Sequence, residues 1–151
     1  MAHLKVGTGA WVVVCDGRKA LILENKGDDA YPDLRTVEHR EQEVPKTSEL
    51  GTDAPGRSYS SVGHGRSAVE ETDLHLEVEH AFLSAIAKRL DKAVLDRETR
   101  HLVVVAPPRA LGFLRKAFSP HVKGAILAEI DKDLVAMPVS EIEAHLFGKR
   151  T

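Results

Sequence analysis

An α/β fold with a mixed five-stranded sheet and helices on its faces is predicted, and three patterns predict it. Apolar β-branched runs flank Asp16-Gly17 near the start, an amphipathic helical stripe occupies the middle, and two continuous apolar strands alternate with helices in the second half. The expected order is β-β-β-α-β-α-β-α in a single domain over residues 1–151.

Trp11-Val12-Val13-Val14-Cys15 and Arg18-Lys19-Ala20-Leu21-Ile22-Leu23 surround Asp16-Gly17. That pairing signals a hairpin, with a type I′ turn as the expected link because Asp-Gly tolerates positive φ. Gly27 to Pro32 reads as a turn, and Leu34 to His39 as a half-exposed third strand. Ser67 or Thr72 then caps a long helix, with Glu70 and Glu71 favourably placed in its first turn. Leu76, Phe82, Leu83, Ile86, Leu90 and Val94 recur at helical spacing, the stripe of a helix lying on a sheet. His101 to Ala106 is apolar throughout, as in a strand covered on both faces. Pro107-Pro108 ends it and opens a helix over Arg109 to Phe118. Ala125 to Ile130 reads as another buried strand, and Pro138 to Phe147 as a terminal helix stopped by Gly148.

The 151 residues are 42% hydrophobic and 29% charged, a globular composition, with a formal net charge of -2. That balance argues against a protein that coats nucleic acid indiscriminately and leaves room for a local basic site. A single cysteine, Cys15, excludes an intramolecular disulfide and suits a reducing compartment. No apolar run approaches the length of a signal core or a membrane span, so a cytoplasmic location is expected.

The segment from Gly51 to Glu70 is the candidate functional element. It is rich in glycine and hydroxyl groups, and carries no acid between Ala54 and Val69. Long loops inside compact domains are uncommon and often functional. Arg57, His64 and Arg66 stand there among Ser58, Tyr59, Ser60, Ser61 and Ser67, donors suited to phosphate oxygens. Gly63 and Gly65 allow close backbone approach. Arg57, Gly63, His64, Gly65, Arg66 and Ser67 form the candidate ligand-binding set, with His64 the candidate catalytic group.

Other chemistries are less well supplied. Glu71, His75 and Glu79 share a helix face at metal-ligand spacing but lack a marked further ligand, so no metal or other cofactor is expected. Asp16, Asp131 and Asp133 do not make the converging carboxylate set of a two-metal nuclease. Ser61 or Ser67 with His64 lacks the strand-turn-helix setting of a serine nucleophile. Cys15 and Trp11 read as core residues, and Arg109, Arg115 and Lys116 as a modest basic helix face.

Several ordered blocks together resemble the bacterial family named for attachment to host cells. They are Trp11 to Val14 with Asp16-Gly17, Gly51-Thr52-Asp53 with Pro55-Gly56-Arg57, Gly65 to Glu70, Val103 to Pro108, and Glu129 to Leu134. The resemblance runs from about Trp11 to Leu146. It implies kinship with the central domain of archaeal and eukaryotic peptide-release factors, and with it a ribonuclease H-like fold. In that domain a Gly-Gly-Gln loop followed by Ser-Ala positions water against the peptidyl-tRNA ester. The matching stretch here is Gly63-His64-Gly65-Arg66-Ser67-Ala68, with arginine where glutamine would stand. Arginine only donates and is permanently charged, which argues against ester hydrolysis by that route. The resemblance thus implies a ribosome- or tRNA-associated module, with Arg66 on phosphate. The alternatives are a non-enzymatic regulatory protein with a protein partner, affecting attachment, and a peptidyl-tRNA or related ester hydrolase using His64. Oligomeric state has no signature in the sequence.

Overall fold

The structure is a computed structural model that describes residues 4–42 and 67–148, with side chains from Leu74 onward in the second stretch. Five strands form one sheet: β1 (Trp11–Cys15), β2 (Lys19–Asn25), β3 (Leu34–Glu41), β4 (Leu102–Ala106) and β5 (Ile126–Asp131). The order across the sheet is β3-β2-β1-β4-β5. β2 runs antiparallel to β1 and β3, whereas β4 runs parallel to β1 and β5 parallel to β4. Among the described residues the helices are α1 (Ser67–Leu95), α2 (Pro108–Ala117), α3 (Pro120–Ala125) and α4 (Val139–Phe147). The expected mixed five-stranded sheet is therefore present, and α3 is an addition to the expected order.

Period-two alternation builds a core on each face. Val13, Cys15, Ala20, Ile22 and Val104 turn toward Leu83, Ile86 and Leu90 of α1 and Leu111 and Leu114 of α2. Val12, Val14, Leu23, Val103 and Val105 turn the other way, toward Ile142 and Leu146 of α4. Every residue of β1 and β4 is buried, which is why both read as unbroken apolar runs. α4 is fixed to the sheet by Glu143, whose Oε2 accepts the Leu34 N–H at 2.7 Å.

Three expectations are corrected. The β1–β2 turn is not type I′, since neither Asp16 nor Gly17 has positive φ. Asp16 Oδ1 instead accepts the N–H groups of Arg18 and Lys19, each at 2.8 Å, and this side-chain bridge holds the turn. β5 is half-buried rather than buried, because it forms the sheet edge, and its register shifts where Leu127 is left unpaired and exposed. α3 arises because Ser119 caps a short helix, its Oγ accepting the Val122 N–H at 3.2 Å.

The end of the sheet where β2 finishes and β1 and β4 begin is tied by polar side chains. Asn25 is fully buried; its Nδ2 donates to the carbonyls of Val6, Gly7 and Asp28, and its Oδ1 accepts from Gly27 and Asp33. Thr99 Oγ1 lies 2.9 Å from the Gly9 carbonyl and 3.0 Å from that of His101. Arg89 donates to Glu38 at 2.8 Å and, through both terminal nitrogens, to Glu98, while its guanidinium lies 5.2 Å from the buried Trp11 ring.

Candidate functional site

β1, β3, β4 and β5 all point their carboxyl ends to the same sheet edge, where open α/β sheets gather their ligands. Residues 43–66 join that edge to α1. Gln42 is fixed there by its backbone N–H to the Arg18 carbonyl at 2.7 Å, and by its Nε2 to the Gly17 carbonyl at 2.9 Å. α1 passes the same turn, for His75, Val78 and Glu79 share a crevice with Arg18 and Gln42. The residues from Ser67 to Leu74 add about 12 Å of helix before that crevice at the α-helical rise. Leu74, in that added turn, is 57% exposed.

A cleft of 190 Å³ opens between α1, α2 and the β1–β2 turn, lined by Gly17, Glu79, His80, Pro107, Arg109 and Phe113 among others. Gly17 lets the Glu79 side chain pass close to the turn. A Cβ at this position would lie 2.9 Å from both Cγ and Cδ of Glu79. His80 stacks on Phe113 with ring centroids 4.4 Å apart. Arg109 Nη2 stands 3.8 Å from Glu79 Oε1, with the Arg109 side chain 71% exposed, a loose pair on which solvent screening acts strongly. Arg18 has no ionic partner among the described residues.

The structure brings Glu79 and Arg109 together across the cleft, two residues that the sequence assigned to separate surfaces. Arg115 is drawn away, donating to Glu129 at 2.6 Å. The core reading of Cys15 and Trp11 holds. Both are buried, and burial, with a smaller contribution from Asp16, pushes the Cys15 thiol up to about 12, which suppresses the nucleophilic thiolate. Among the described residues no three His, Cys, Asp or Glu side chains converge on a metal-sized point, and no helix is long and apolar enough to cross a membrane. Arg57, Gly63, His64, Gly65 and Arg66 lie outside the described residues, as do the side chains of Ser67 and Glu71. The sequence reading missed the His80–Phe113 stack and the role of Gly17 against Glu79. The signal for the first was present in the cleft-facing ends of two amphipathic helices; for the second there was none, since a turn glycine explains itself locally.

Comparison with known proteins gives the chain its family. The crystal structure of the archaeal translation termination factor aRF1 is similar at a TM-score of 0.47 and 11% identity, over 91% of this chain and 36% of that one. The chain thus spans about a third of that factor's length. No curated protein matches significantly. A family model described as "Protein required for attachment to host cells" matches residues 11–146, and the chain belongs to that family.

Proposed function

We propose that this chain is a cytoplasmic RNA- or ribosome-associated module that works through residues 51–70. One observation carries the reading. The segment holding Arg57, Gly63, His64, Gly65, Arg66 and Ser67, free of acids from Ala54 to Val69, lies in the connection between Gln42 at the sheet's carboxyl edge and the start of α1 at Ser67. Arg18 and the loosely held Arg109 stand at the same edge, so cations of the body and cations of the segment can serve one polyanion. The strand order, with β2 alone antiparallel to the rest, favours the ribonuclease H-like reading and with it the release-factor kinship. The arginine at position 66 favours gripping phosphate over positioning water.

Ultraviolet crosslinking in intact cells, followed by mapping of the RNA-linked peptides, tests this proposal. Crosslinks concentrated within residues 51–70 are expected; an RNA-free protein contradicts it. The family description favours a second reading, a non-enzymatic regulator of attachment acting through a protein partner. Affinity purification that returns one stoichiometric protein and no RNA selects that reading instead.

A further inference from the structure

We infer that a second phosphate-binding surface, distinct from the carboxyl edge, lies at the opposite end of the sheet and holds the backbone of the same RNA. The inference rests on the RNA reading proposed above for its ligand, and on the geometry of this end for its chemistry. A shallow groove of 400 Å³ runs between the α1–β4 turn and α3, and Arg97, Arg100 and His121 line it with Thr99 and Gly124. Its floor is Val94 and Ala125. An open trough with cations on its rim suits a polymer backbone that enters and leaves, rather than a small molecule that needs enclosure.

Three carboxylates on the same stretch of chain already have partners of their own. Asp96 is taken by Lys92 at 2.5 Å, Glu98 by both terminal nitrogens of Arg89, and Asp91 by the hydroxyl of Ser119 at 2.5 Å. Arg97, Arg100 and His121 have no ionic or hydrogen-bonding side-chain partner among the described residues. Two guanidinium groups and an imidazole are thus offered together, with Gly124 exposed between them to admit a phosphate closely.

Backbone conformation adds an independent argument. α1 ends in a Schellman motif, with the Glu98 N–H bonded to the Ala93 carbonyl at 2.8 Å and the Arg97 N–H to that of Val94 at 3.2 Å. Arg97 sits at the position where glycine is usual, with φ of 60°, and it is the one non-glycine residue with positive φ among those described. The αL conformation is one that glycine adopts at less cost, so the helix stop alone does not call for an arginine here. The strain also supplies a clean test, because replacing Arg97 with glycine removes the charge while relieving the backbone.

The experiment is fluorescence anisotropy of the full-length chain with labelled bulk tRNA across a sodium chloride series, run beside amide NMR with inorganic phosphate. Arg97→Gly and Arg100→Ala are each expected to weaken tRNA binding several-fold. Together they make the slope of log affinity against log salt shallower by roughly 1–2. Arg97→Gly is expected to melt about 2–4 °C higher than the parent, so its loss of binding cannot come from unfolding. Inorganic phosphate is expected to shift the amides of His121 and Gly124. If both variants bind like the parent while Arg57→Ala/Arg66→Ala weakens binding, the groove is overturned and the loop reading stands. If the parent binds no tRNA yet phosphate shifts those two amides, the phosphate chemistry is upheld and RNA as its source is overturned. Absence of both signals overturns the inference outright.

Discussion

The two ends of the sheet handle charge in opposite ways. At the carboxyl edge the body keeps Arg109 within 3.8 Å of Glu79, and Arg18 has no ionic partner among the described residues. At the other end Glu98 and Asp96 are paired with Arg89 and Lys92 and Asp91 accepts from Ser119, while Arg97 and Arg100 have no ionic partner among the described residues. The second end is also the more heavily tied, through Asn25, Thr99 and Arg89. On the reading proposed above, a basic site in a chain of net charge -2 depends on which acids are occupied rather than on how many there are.

The largest expected effect tests the tying. Asn25→Ala removes five hydrogen bonds to buried or half-buried backbone groups and should cost about 3–4 kcal/mol in urea unfolding. A loss under about 1 kcal/mol would mean that this end does not depend on the side chain. Arg89→Ala comes next, at about 1–2 kcal/mol near neutral pH, since it breaks a partly buried charge-assisted network and the contact over Trp11.

Arg89→Ala also carries a pH signature. Burial alone would raise the Glu38 carboxyl, but hydrogen bonds from Arg89 and Arg40 and their charges outweigh it and hold it below its usual value. Hydrogen bonding from Arg89 is the main cause that depresses Glu98. Both carboxyls bind protons less readily when folded, so their stabilisation is present above the ordinary carboxylate range and is lost as pH falls through the folded values. Removing Arg89 should flatten the acid limb of the stability curve, and it frees Glu98 to compete for Arg97. An acid limb identical in parent and variant would contradict the pairing.

Smaller effects sharpen the comparison. Arg97→Gly should stabilise the fold by about 1 kcal/mol, read as a higher midpoint in urea. Arg109→Ala should change stability by less than about 0.5 kcal/mol, because its pair with Glu79 is long and exposed. A larger cost would show that the carboxyl edge is tied as firmly as the other end.

Much of the fold was legible because its signals are local. Buried β1 and β4 announce themselves as valine runs, and the stripe from Leu76 to Val94 can only be a helix on a sheet. The errors fell where neighbours decide. β5 looks like β4 in sequence, yet it is an edge strand because nothing pairs beyond it among the described residues. Asp16-Gly17 signalled the hairpin correctly but not its turn, which the Asp16 carboxylate bridges instead. The candidate loop stands out by composition alone, whereas the groove at the far end has no such signal. Arg97 and Arg100 meet His121 and Gly124 only after α3, a helix the sequence reading lacked, brings them together.

Co-sedimentation of the purified chain with ribosomes over a salt series tests the central claim most directly. The account predicts binding that falls steeply as salt rises, and an Arg57→Ala/Arg66→Ala variant that binds more weakly with a shallower salt dependence. A parent that stays in the supernatant at low salt, or binding untouched by salt and by loss of both arginines, would contradict it.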